Sequence, residues 1–205
     1  MNYQVAVIDP PWSFQAWSPA GDGRAPPYRT QSGDWIASLP ITSLLADDAV
    51  VLLWVTDPMI PLALRCLDAW GLKYKTVGFY WTKEKPSGKE HIGTGYYTRA
   101  NPEQCWIATR GRGLHRESAA VRRWLHAPVG DHSVKPDEFY RRVEQLFGDV
   151  RRVDVFARRP RTGWDVIGDE IDGNDISDVL SGGKTPAAMD RQAQLALDGC
   201  DTIES

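Results

Sequence analysis

Apolar runs alternate with polar, Gly- and Pro-rich stretches along this chain, and the alternation sets out an α/β protein. Val5-Ala6-Val7-Ile8 is an unbroken apolar run of the kind that fills a buried strand of a parallel sheet. It runs into Asp9-Pro10-Pro11-Trp12, and the strand is expected to end at Asp9 because proline neither donates to a ladder nor extends one. Residues 49–55 (Ala-Val-Val-Leu-Leu-Trp-Val) repeat the pattern. Thr56-Asp57-Pro58 reads as a helix start with Asp57 as N-cap and Pro58 at the first helical position. Ile60, Ala63, Leu64, Leu67 and Trp70 then recur at helical spacing until Gly71. Further strands are predicted over residues 73–81, 103–109 and 150–157, with an edge strand over 121–127. A last helix enters through Pro136 at its first position, with Asp137 and Glu138 in the first turn. Its stripe is Phe139, Tyr140, Val143, Leu146 and Phe147, and Gly148 closes it. Residues 34–45 suit a short helix or two turns broken at Pro40.

Two long segments have no period. Residues 13–28 follow the first strand directly and mix Gly and Pro with Phe14, Trp17 and Tyr28; residues 83–99 are polar and Gly-rich and carry Tyr96 and Tyr97. Loops of this length are commonly functional, and these two are expected to wall one mouth and stack on a substrate. Residues 158–172 read as a third loop. Beyond Ile176 the Gly/Ser/Ala/Asp composition reads as a weakly ordered tail (176–205), with a short accessory helix over 189–197, leaving one domain over 1–175.

Composition narrows the class. At 205 residues with 42% hydrophobic and 25% charged, the chain buries a core of ordinary soluble type. No apolar run reaches membrane-spanning length. Three scattered cysteines fit a reducing cytoplasm, and the four histidines show no ligand spacing, so no metal is expected. The net charge of −3 argues against a chain-wide grip on nucleic acid. Two basic clusters, over 110–126 and 151–161, nevertheless offer local tracks for phosphates.

The chemistry sits in Asp9-Pro10-Pro11-Trp12. In an open α/β sheet, ligands bind beyond the carboxyl ends of the strands. There Asp9 and the Pro10 carbonyl can each accept one N–H of a planar exocyclic amine, with Trp12 or a neighbouring aromatic on the ring.

This tetrapeptide after a buried strand resembles the catalytic motif of amino-group methyltransferases, which act on adenine N6 or cytosine N4. Three further stretches are similar to the MT-A70 adenine-N6 branch. They are Leu53-Trp54-Val55-Thr56 with its helix, His132-Ser133-Val134-Lys135-Pro136, and Val155-Phe156-Ala157-Arg158 followed by Gly163-Trp164 and Gly168-Asp169-Glu170. The matches run in the family's order over residues 3 to about 172. The resemblance implies a permuted Rossmann-like, S-adenosylmethionine-dependent methyltransferase fold, with a mostly parallel sheet flanked by helices. It implies catalysis by Asp9, Pro10, Pro11 and Trp12, and a cofactor site of Ile8, Asp9, His132, Ser133, Lys135, Phe156, Arg158, Asp169 and Glu170. Lys135 and Ser133 would reach the methionine end, and Arg158, Asp169 and Glu170 the ribose and adenine. One departure is Val129-Gly130-Asp131, which stands where relatives often carry a basic residue. The expected partner is nucleic acid, DNA before RNA, with short-site or relaxed specificity or a partner supplying it; a homodimer or a partner subunit is the expected assembly. Two rivals stay open: cytosine N4 methylation on the same fold, and a non-catalytic subunit that docks nucleic acid or a partner.

Overall fold

The computed structural model describes residues 1–13, 30–93, 95, 97–130, 134–168, 171 and 176–182. They form a seven-stranded sheet: β1 (Tyr3–Ile8), β2 (Leu45–Val55), β3 (Lys73–Glu84), β4 (Glu103–Arg110), β5 (Trp124–Pro128), β6 (Arg152–Val155) and β7 (Asp165–Ile167). The strand order is β5-β3-β4-β2-β1-β6-β7. The β1–β2, β1–β6, β6–β7 and β3–β5 pairs are parallel, and only β4 runs against its neighbours β2 and β3. The sheet is therefore mostly parallel, and every strand except β4 ends on the same edge. That edge is where β1 delivers Asp9.

Helices cover both faces, as the Rossmann-like methyltransferase fold requires. Tyr3, Ala6 and Ile8 of β1 pack on one face with α1 (Gly33–Ser38) and α2 (Ile60–Ala69), through Ile36, Ala63, Cys66 and Leu67. Val5 and Val7 face the other way, into a cluster with Trp54, Phe79, Trp81, Trp164 and α3 (Asp137–Phe147). Period-two alternation in the strand thus decides which half of the core each residue joins. No helix among the described residues is long and apolar enough to cross a membrane.

Four local expectations change. Asp57 is not an N-cap: residues 57–59 form a 3₁₀ turn ahead of α2, and Asp57 accepts a hydrogen bond from Gln104 Nε2 at 2.8 Å. Pro136 is the extended residue before α3 rather than its first helical one. The loop over 158–172 contains β7, a three-residue strand too short to carry a period. The expected tail opens with a helix, α4 (Ile176–Leu180), whose Ile176 and Val179 join the α1–α2 side of the core. Two apolar residues three apart are enough to dock a single turn but leave no readable stripe.

Candidate active site

Asp9 is held on three sides. Its backbone N–H donates to the Val155 carbonyl at 3.4 Å, continuing the β1–β6 ladder past the end of the strand. Pro10 and Pro11 then turn the chain. The Trp12 N–H closes back on the Pro10 carbonyl at 2.7 Å, which leaves that oxygen a second lone pair. The Trp12 indole is 4% exposed and donates Nε1–H to the Trp54 carbonyl at 3.0 Å, at the end of β2. Trp12 therefore fastens the motif to the neighbouring strand, and its faces are packed into the core rather than open to a base. Gln31 donates to the Pro11 carbonyl at 3.0 Å, so the chain returns to the motif after the segment 14–29.

The carboxylate is held by Lys135. Its Nζ lies 2.7 Å from Asp9 Oδ2 and 3.4 Å from Glu103 Oε2, and 5.2 Å above the Trp54 ring. Lys83 closes the far side of Glu103 and sits over Trp81. Four charged groups from β1, β3, β4 and the entry to α3 thus alternate in sign across the mouth. Burial works to lower the Lys135 ammonium, but the Asp9 and Glu103 carboxylates outweigh it and hold the proton more firmly than usual. Burial likewise works to raise Glu103, yet Lys135 and Lys83 pull it down to about 2. Among the described residues, no donor besides Lys135 reaches the Asp9 carboxylate.

Beside this chain of charges lies a narrow cleft lined by Asp9, Lys135, Tyr140, Asp154, Phe156 and Arg158. Asp154 is on β6, one strand from Asp9, and accepts the Tyr140 hydroxyl at 2.7 Å. Burial pushes its carboxyl up to about 7, against the lowering effects of that hydrogen bond and of Arg161, whose guanidinium stacks 3.5 Å from the Tyr140 ring. Phe156 bears a positive φ of 64°, a conformation bulky residues avoid, and packs obliquely on Trp35. Gly168 backs the Ala157 side of this cleft's lining: a Cβ there would stand 2.1 Å from the Ala157 carbonyl, so only glycine fits.

The structure gathers Ile8, Asp9, Pro10, Pro11, Trp12, Lys135, Phe156 and Arg158 around this mouth. Lys135, expected at the cofactor's methionine end, is placed by the structure as the counter-ion of Asp9. Tyr97 stands fully exposed. Trp164 is buried in the core and donates to Glu144 Oε1 at 2.7 Å, so this part of the Gly163-Trp164 segment serves packing. Phe14, Trp17, Tyr28, Tyr96, His132, Ser133, Asp169 and Glu170 lie outside the described residues. Sequence reasoning missed Glu103, Lys83, Asp154 and Tyr140 as site residues. Asp154 carried a signal, as an acid inside an apolar run; the other three read as ordinary strand and helix positions.

The donor set suits S-adenosylmethionine. A zwitterionic amino-acid tail needs an acid and cations at one place, which Asp9, Lys135 and Arg158 provide, and an adenine ring needs an apolar wall such as Phe156.

Comparison with known proteins gives the family. The MT-A70 family profile matches residues 3–170. The chain is 28% identical over 193 residues to the type II methyltransferase M.MunI of Mycoplasma sp, covering 85% of this chain and 80% of that protein. It is 28% identical over 182 residues to the human N(6)-adenosine-methyltransferase catalytic subunit METTL3, and 28% over 177 to a Drosophila melanogaster MT-A70-like protein. Those matches cover 86% and 84% of this chain but only 30% and 27% of the relatives. With the profile spanning nearly the whole sheet and its mouth, the chain belongs to the MT-A70 family of methyltransferases.

Proposed function

We propose that this protein methylates the N6 amine of adenine in nucleic acid, with DNA as its substrate. The observation that carries the reading is Asp9 at the carboxyl end of β1, held by Lys135 through a single carboxylate oxygen beside the Pro10 carbonyl. The N6 lone pair is delocalised into the ring, which makes the amine a poor nucleophile. Asp9 and the Pro10 carbonyl accept its two N–H groups, favour a pyramidal nitrogen and turn the lone pair out of the ring. Lys135 fixes the carboxylate so that no reorganisation is needed as the nitrogen becomes positive. Asp154, Phe156 and Arg158 hold the cofactor, together with His132, Ser133, Asp169 and Glu170. Once bound, S-adenosylmethionine supplies the methyl group on its sulfonium. In duplex DNA the base is first extruded, at a cost of about a few kcal/mol.

The similarity to the relative named a type II methyltransferase, over 85% of this chain, supports DNA as the substrate. A cytoplasmic location fits the substrate and the free thiols of Cys66 and Cys105 among the described residues, and a partner supplies target specificity.

The test is mass spectrometry of nucleosides from DNA and RNA incubated with the protein and methyl-labelled cofactor. Label in N6-methyladenine of DNA is the expected result. Label only in RNA moves the substrate, label in N4-methylcytosine moves the base, and cofactor binding without label marks a non-catalytic subunit.

A further inference from the structure

One surface takes no part in this chemistry. β5 is an edge strand, and its residues alternate between buried and exposed: Leu125 and Ala127 face α3, whereas Trp124, His126 and Pro128 face outward. The Trp124 indole is 53% exposed, a large apolar area for a soluble protein to leave uncovered. Tyr80 of β3 lies beside it at 5.7 Å and His126 at 6.1 Å, so three rings form one outward stripe. The stripe follows β5 towards the edge where Asp9 sits, since β5 and β1 end on the same side.

Charge decides what the stripe suits. Lys73, Lys75, Lys85, Lys89, Arg122 and Arg123 are exposed on β3, its extension and the approach to β5, against the exposed acid Glu90 and the half-buried Glu84, which lies 3.6 Å from His126 Nδ1. The whole chain is at −3, so this flank is a basic island on an acidic protein. Another strand is a poor occupant, because Arg142 already donates to the Arg122 carbonyl at 3.0 Å and the Trp124 carbonyl at 2.7 Å and so caps the open edge. Aromatic faces among cations are the composition of a platform for single-stranded nucleic acid.

Resting on the function proposed above, we propose that the Tyr80–Trp124–His126 stripe and its surrounding cations form a second site that holds single-stranded DNA flanking the target adenine. Four strand steps separate β5 from β1 in the sheet, roughly 19 Å at ~4.8 Å each. That is about five or six stacked nucleotides at ~3.4 Å each, so the flank of an opened strand reaches the stripe while a trinucleotide does not.

The test measures binding of a fluorescent thymidine 16-mer, which contains no adenine, to the full chain carrying Trp124→Ala or Trp124→Phe. The alanine variant should bind at least tenfold more weakly and the phenylalanine variant within about threefold of the parent. Both should methylate an adenine trinucleotide at the parental rate. Arg122→Gln with Arg123→Gln should lower the salt slope of binding by roughly 0.7 per residue. Parental affinity in Trp124→Ala overturns the site. So does a Trp124→Ala protein that turns from dimer to monomer with unchanged DNA affinity, since the face would then be an interface between copies. Preference for single-stranded RNA, or for duplex DNA, also overturns it. The two proposals fail separately: DNA methylation with Trp124-independent binding removes only the platform. Trp124-dependent binding with no methylation of DNA removes only the catalytic assignment.

Discussion

Replacing Lys135 with methionine keeps the aliphatic stem and removes the charge between two carboxylates. At 2.7 Å from Asp9 and 3.4 Å from Glu103, and an effective dielectric of about 20, the two attractions are each roughly 5–6 kcal/mol. Desolvation of three ions offsets most of that, so the net effect of deleting the cation follows the rule for breaking a buried pair, about 3–5 kcal/mol. Glu103 keeps Lys83; Asp9 keeps no cation among the described residues. At roughly 2–4 °C per kcal/mol for a domain of this size, Tm should fall by about 6–20 °C. Acid tolerance should fall as well. Glu103 is held at about 2 instead of its ordinary 4.5, so its contribution to stability is present above about pH 4.5 and is lost as pH falls through 2. Without Lys135 that pKa moves back up, and acid unfolding should begin at higher pH. Calorimetry or circular dichroism on Lys135→Met, Asp9→Asn and the double variant measures the coupling. A Tm loss under about 2 °C, or strictly additive single effects, would refute the claim that Lys135 is the structural counter-ion of Asp9.

Asp9→Ala should abolish methyl transfer while cofactor binding weakens only modestly; near-normal turnover by radiolabel transfer would remove Asp9 from the chemistry. Phe156→Ala should raise the Kd for S-adenosylmethionine more than it lowers Tm, because Phe156 lines the cleft and is only half-buried. Titration calorimetry showing unchanged affinity with a large Tm loss returns that ring to the core. Asp154 keeps its proton up to about pH 7 in the folded protein against 3.8 when unfolded, so the stability it confers is complete below about pH 4 and is lost as pH rises through 7. Asp154→Asn should therefore flatten the Tm decline between pH 5 and 8, and an unchanged slope would show that Asp154 is not the titrating group.

The first strand, its proline stop and the acid between them were legible from eight consecutive residues, because a buried strand and a proline both act locally. The same holds for α2 and α3, whose stripes repeat over ten residues or more. β7 and α4 escaped because three to five residues cannot show a period. What the site does with its residues was decided at longer range. Trp12 reads as a free ring at a mouth, yet β2, its parallel neighbour through β1, places the Trp54 carbonyl where it takes the indole N–H. Lys135 and Asp9 are 126 residues apart and meet only because β1 and the start of α3 reach the same edge of the sheet. The exposure of Trp124 is equally a property of the assembled sheet, since an edge strand buries whichever face a helix covers and α3 covers the other one. Local pattern reports what each residue can bond within its own turn or strand. Strand order and layer packing decide which distant charge, carbonyl or solvent it finally meets.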